Sequence, residues 1–134
     1  MPNIVDQLEA KGKTWRAYMQ SLSLCVTKLD HACGNQLYER KHDPFVSYQD
    51  VQSNPARLVN TVDLGQFSSD LASKNVPDYV WISPDQCNDM HGRGGPSSDP
   101  CNFGNVQGLI AAGDAFLSST VRAIMNSRAG RGTR

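Results

Sequence analysis

The chain has 134 residues, 39% of them hydrophobic and 19% charged, and its 13 basic side chains cancel its 13 acidic ones. That length suits one domain or a piece of one, and the balanced charge disfavours nucleic-acid binding, which needs a clustered excess of positive charge. A mean hydropathy of -0.46 with moderate apolar content argues against wholesale disorder, and no unbroken run of about 18 apolar residues predicts a membrane span.

Asn3 is a candidate N-cap with Asp6 in the first turn, and Ile4, Val5 and Leu8 form an apolar face. With Gly12 as a stop, the pattern predicts a helix over 3–11. Between Thr14 and Met19, apolar and polar residues alternate, which predicts a strand. Residues 20–43 show no period, and so long a loop is expected to be functional or poorly ordered. Residues 47–55 predict a short helical turn and then loop, with Pro55 interrupting any longer element. Asp63 can cap a helix over 64–74, carrying Leu64, Phe67 and Leu71 on one face. A turn around Pro77 spans Asn75 to Asp78. Tyr79, Val80, Trp81 and Ile82 make an apolar run between two prolines, as in a strand buried on both faces of a parallel sheet. Residues 83–104 are a polar loop rich in Gly, Ser, Asp, Asn and Pro. The strongest helical pattern covers 106–127, through Phe116, Leu117, Val121, Ile124 and Met125, and Gly113 moves its expected start to an Asp114 cap. Residues 128–134, where Arg128, Arg131 and Arg134 lie among glycines, predict a frayed tail.

Alternating helices and strands predict an α/β fold with a parallel sheet. Two visible strands do not make a stable sheet, so it must continue in residues outside the chain or pair with another chain.

The cysteines Cys25, Cys33, Cys87 and Cys101 contain no C-x-x-C pair, which disfavours zinc ribbons and thioredoxin-type motifs. Pairing Cys25 with Cys33 and Cys87 with Cys101 closes two short polar loops, although four cysteines permit three connectivities. Disulfides would place the protein in an oxidising compartment; reduced thiols in the cytosol are the alternative reading. Met1 is followed by polar residues, so an exported form predicts a signal outside these residues.

Ligands of parallel sheets bind beyond the carboxyl ends of the strands. The loop after Ile82 holds Asp85, Cys87, Asn88, Asp89 and His91 there. A carboxylate and an imidazole two residues apart suit a divalent metal or acid-base chemistry, or they cap a turn. Lys41 and His42, stiffened by Pro44, could meet a phosphate or carboxylate, or they form a solvated charge run. His31 reads as surface, and Trp15 and Trp81 as core. There is no G-x-S-x-G elbow, P-loop or G-x-G-x-x-G.

Six strings occur in an order that resembles one family: Ile4 to Ala10, Lys13 to Met19, Lys41 to Val46, Asp70 to Ala72 continuing with Pro77 to Pro84, Cys87 to Gly92, and Gly113 to Leu117. They resemble the phosphoesterase family of acid phosphatases and phosphatidylcholine-type phospholipases C, within the alkaline phosphatase-like superfamily. The resemblance implies an α/β/α sandwich of which residues 1–134 are a central segment with an incomplete sheet. It also implies hydrolysis of phosphate esters. In the family, the His of K-H-x-P-F and the Asp and His of N-D-x-H-D line the phosphate pocket; carried over, these are His42, Asp89 and His91. Asp43 stands where Asn is usual and is expected to place a negative charge near the phosphate. Gly92 stands where Asp is usual and removes a carboxylate beside His91.

The resemblance places the family's nucleophile and divalent-metal ligands outside this segment, so the chain alone is expected to have no nucleophile, to bind no metal and to show little turnover. Its implied partners are a phosphomonoester or phospholipid substrate and the remainder of the catalytic domain, and its implied location is extracellular or secreted. The alternative function is a truncated, non-catalytic homologue acting as a binding or interaction module.

Overall fold

The computed structural model describes residues 2–73 and 76–132; what was read onto Lys74, Asn75, Thr133 and Arg134 lies outside the described residues. Helix α1, Ile4–Ala10, starts where the sequence places it. The Asn3 side chain accepts from the N–H groups of Val5 and Asp6, and the Asp6 carboxylate accepts from Asn3 N–H, a reciprocal capping box. Gly12 follows the helix at φ 64, the left-handed region that glycine enters without steric cost. The Asn3 amide also donates to Asp50. Replacing Asn3 with Ala should therefore cost about 1 kcal/mol. A urea midpoint unchanged by the substitution would show that the cap is dispensable.

Strand β1, Trp15–Met19, is the centre of the sheet. Two further short strands, β2 (Ala32–Cys33) and β3 (Tyr38–Glu39), pair as a separate antiparallel hairpin. After them come two four-residue helices, α2 (Gln49–Gln52) and α3 (Pro55–Leu58). Strand β4, Thr61–Asp63, then precedes helix α4, Phe67–Ala72, and strand β5, Tyr79–Ser83. Helix α5, Val106–Asn126, completes the described elements. The main sheet has the order β4-β1-β5, and both pairings are parallel.

Trp15, Ala17 and Met19 point to one face, where they pack with Val5, Leu22, Tyr38, Phe45 and Val51. Tyr18 points to the other and packs with Phe67 and Leu71, joined by Val80, Ile82 and Ile124. The sheet therefore has apolar layers on both sides. This bears out the α/β class and the incomplete sheet.

The structure corrects several expectations. There is a third strand, β4, which three residues were too few to announce. Pro55 does not break a helix but begins one: it sits at the first position of α3, where its missing N–H costs nothing, and Asn54 caps that helix. Residues 20–43 are ordered by local devices: a 3-10 turn at Leu22–Leu24, the β2–β3 hairpin and a turn at Arg40–His42. The helix expected over 64–74 is a 3-10 turn, Leu64–Gln66, running into α4, with Asp63 accepting from Gly65 N–H. Strand β5 is only half-buried, because it is an edge strand, and Trp81 is 37% exposed. Helix α5 begins at Val106 under an Asn105 cap and not at Asp114. Gly113 is buried within it, at a point where a Cβ would lie 2.5 Å from Met90 Cε, so close packing is the reason for glycine there.

Both disulfides form with the two short-loop pairings, Cys25–Cys33 and Cys87–Cys101, and no free cysteine is present. By length and composition α5 could cross a membrane, with a hydropathy of 1.2. Serines, Thr120, Asp114 and Arg122 interrupt its apolar run. Leu109, Gly113 and Ile124 seat α5 on the rest of the fold, while only 11% of its apolar window is buried.

Candidate phosphate site

The ends of β1 and β5 meet at a polar lattice. Gln20 N–H donates to Ser83 O, and Gln20 Oε1 accepts from both Asp85 N–H and Asn88 Nδ2. Ser21, at φ 65, donates its hydroxyl to Asp85 Oδ2 at 2.7 Å. The other oxygen of Asp85 accepts from the N–H groups of Cys87 and Asn88. Asp85 O accepts from Asp89 N–H at 2.8 Å. A carboxylate that accepts from successive N–H groups holds a turn in one geometry, and this one fixes Asp89 above the strand ends.

The two clusters that the sequence held apart meet here. His42 Nδ1 lies 3.4 Å from Asp89 Oδ2, with both side chains partly exposed. Asp89 Oδ1 accepts from His91 N–H at 2.8 Å. Met90 between them takes φ 70, and its side chain packs against Gly113 of α5. The His91 ring has Nδ1 2.9 Å from Gly92 O. Donation to that carbonyl puts the proton of a neutral ring on Nδ1 and leaves Nε2 for a ligand. Lys41 is exposed beside this group, and His31 is exposed as expected.

The surrounding loop is held from outside. Arg93 donates to Asp99 and to the carbonyls of Gly34 and Asn35, which ties it to the β2–β3 turn, and the Cys87–Cys101 disulfide closes it. Gly92 has φ 77, and a Cβ there would lie 2.8 Å from Phe103 Cα. The absent carboxylate at this position therefore follows from the backbone, which leaves no room for a side chain.

Asp43 is not where the sequence placed it. Its side chain is fully buried and points into the fold, where Oδ1 accepts from the N–H groups of Phe45 and Val46. Burial pushes its carboxyl above the ordinary range, against the opposing pull of those two N–H groups. Its charge is thus a matter of stability, not of the phosphate.

Among the described residues, the one trio of His, Cys, Asp or Glu with ligand atoms within 4.8 Å of one another is Cys25, Asp30 and Cys33. Two of its members are joined in a disulfide, so no thiolate pair is on offer. His42, Asp89 and His91 are not gathered into such a trio, so the residues here do not by themselves fit a divalent ion.

A histidine held by a carboxylate, with a second histidine beside it at the carboxyl ends of parallel strands, suits an anionic ligand. The chain matches the Phosphoesterase family over residues 1–129. It belongs to that family. It is 30% identical over 93 residues to a probable acid phosphatase of Kluyveromyces lactis, covering 66% of this chain and 22% of that protein. It is 30% identical over 92 residues to an acid phosphatase of Aspergillus fumigatus, covering 66% and 21%. A phosphatidylinositol-3-phosphatase of Mycobacterium tuberculosis is 26% identical over 126 residues, covering 94% of this chain and 34% of that protein. The chain thus spans between about a fifth and a third of the length of these relatives. No solved structure matches it significantly. Of this phosphoesterase chain, the sequence singles out His42, Asp89 and His91, with Asp85 named only as part of the same loop. It missed Gln20 and Ser21, which carry no motif and reach the site only because β1 ends beside β5.

Proposed function

We propose that this chain supplies the phosphate-facing half of a catalytic site that hydrolyses phosphate monoesters. One observation carries the reading: the Lys41–Phe45 and Asn88–His91 segments, remote in sequence, converge on a single His42–Asp89 pair at the sheet's carboxyl end. The relatives support a monoester, because each of them is named a phosphatase.

In this reading Asp89 orients the His42 imidazole, and protonated His42 donates to a non-bridging phosphate oxygen or to the leaving oxygen. His91, held through Nδ1, presents Nε2 to the same group. The attacking group and any divalent ion come from outside these residues, and no step is assigned to a metal here. Two disulfides support a place of work in an oxidising compartment.

The test is a heteronuclear NMR titration of the chain with inorganic phosphate, followed by an assay with p-nitrophenyl phosphate. Saturable shifts of the His42 and His91 ring resonances are expected in roughly the millimolar range, with the affinity read at the His91 ring falling about tenfold or more in His42→Ala. No turnover is expected. Absence of any shift at these rings would sink the phosphate reading. Turnover lost on His42→Ala would place the nucleophile within this chain and overturn the division of labour.

A further inference from the structure

Residues 83–104 are polar almost throughout. Apart from the disulfide cysteines and the prolines, their large apolar side chains are Met90 and Phe103. Both stand beside His91. Met90 precedes it in the chain and holds a left-handed φ of 70, a conformation that glycine takes freely and a thioether residue takes at a cost. Phe103 comes close through the backbone: a Cβ on Gly92 would lie 2.8 Å from Phe103 Cα.

Apolar residues exposed singly need no explanation, but a contiguous set beside a polar site does. Here the set continues onto α5. The Met90 side chain packs on Gly113, and Ile110 and Val106 precede that glycine by one and two helical turns on the same face. Further along, α5 rests on the sheet through Ile124, which joins Val80 and Ile82. Its first two turns therefore project past the carboxyl ends of the strands. Met90, Phe103, Val106 and Ile110 are each between 41% and 63% exposed. Arg93 and Asp99, in the same loop, neutralise each other through an ion pair at 3.0 Å.

We infer that Met90, Phe103, Val106 and Ile110 receive the organic group of the ester and select an aryl phosphate monoester. The inference rests on the phosphate reading and names the substrate class at the same site. Continuity decides the occupant. The apolar flank begins at the residue next to His91, whose Nδ1 is engaged with Gly92 O and whose Nε2 is left for the phosphate. A group esterified to a phosphate held there lies against the flank. An aromatic ring suits it better than a sugar or glycerol, whose hydroxyls would lose water on this surface without gaining hydrogen-bond partners. Phe103 offers a ring to stack on, and Met90 a thioether that favours aromatic contacts.

The test titrates the full chain with inorganic phosphate, glycerol 3-phosphate, phenyl phosphate and cyclohexyl phosphate. NMR reads the His91 ring, the Met90 methyl and the Phe103 ring. Phenyl phosphate is expected to bind about tenfold more tightly than glycerol 3-phosphate, the effect of seating one ring on apolar surface. It should shift Met90 and Phe103, which glycerol 3-phosphate should leave in place. Phe103→Ser with Ile110→Ser, both on the surface, should remove the preference and leave inorganic phosphate binding unchanged. Equal affinities for phenyl and glycerol phosphates would overturn the inference while the phosphate reading stands. A preference that survives the double variant would overturn it too, because the ring then sits elsewhere. Cyclohexyl phosphate binding as tightly as phenyl phosphate would overturn the aromatic choice. A concentration-dependent dimer that the double variant dissolves would assign the flank to a second copy. Failure of all four ligands, inorganic phosphate included, would overturn the phosphate reading and this one with it.

Discussion

Replacing Phe45 with Ala should cost about 3–5 kcal/mol of unfolding free energy, the range for truncating a fully buried aromatic. Phe45 is 1% exposed. Its ring stacks on Trp15 at a centroid distance of 4.9 Å and meets Tyr79 and Trp81 edge-on at 6.3 and 6.2 Å. These partners lie on β1 and β5, so one side chain pins the Lys41–Phe45 segment to two strands of the sheet. The loss has a second consequence. His42 sits three residues before the anchor, so freeing Phe45 should loosen His42 from Asp89 before the chain unfolds globally. Guanidinium melts give the free energy, and ring-resonance broadening at His42 under native conditions reports the loosening. A cost under about 1 kcal/mol, small for a buried aromatic, would mean that the layer collapses around the gap and that the segment is held by something else. A full cost with His42 still sharp would separate the anchor from the site.

The same segment shows what a sequence can and cannot announce. The helix at Ile4–Ala10 was legible because its cap, its acidic first turn and its glycine stop are local signals. The strand at Tyr79–Ser83 was legible as a strand but not in its burial, because an apolar run says nothing about whether a neighbour exists on each side. Strand β4 is set by its pairing with β1 through Ala17 to Met19, a partner far away in the chain. The site divides in the same manner. His42, Asp89 and His91 stand in strings that resemble a family, whereas Gln20 and Ser21 are ordinary residues that matter only because two strand ends coincide. Asp43 was misread for a related reason. The resemblance set it, where Asn is usual, beside the phosphate, but the turn that leaves His42 partly exposed carries the next side chain inward.

That inward carboxylate yields the second large effect: Asp43→Asn should stabilise the chain at neutral pH by about 1–3 kcal/mol, the cost attached to a buried polar group left unsatisfied. Asp43 is 0% exposed. Oδ1 has two backbone donors, but Oδ2 has no hydrogen-bond partner, and the buried Thr61 hydroxyl nearby lacks one as well. Thr61 and Lys28 lie close enough to favour the ionised form somewhat, yet burial outweighs them and raises the carboxyl above its ordinary value. The sign follows from linkage. A carboxyl whose folded value is raised contributes stability while protonated, below the ordinary aspartate range near about 4, and loses it as pH rises through the folded value. At pH 7, above the ordinary aspartate range, the buried carboxyl therefore carries a penalty that an amide removes. Asparagine keeps the acceptor for Phe45 and Val46 and turns an N–H toward Thr61, so one change meets both unsatisfied atoms. Thermal melts of both forms across the acid-to-neutral range should show the variant's advantage largest at pH 7 and shrinking as the solution is acidified. A variant less stable at pH 7 would mean that the two N–H groups need a full negative charge, and that the buried anion is worth more as a cap than it costs in desolvation.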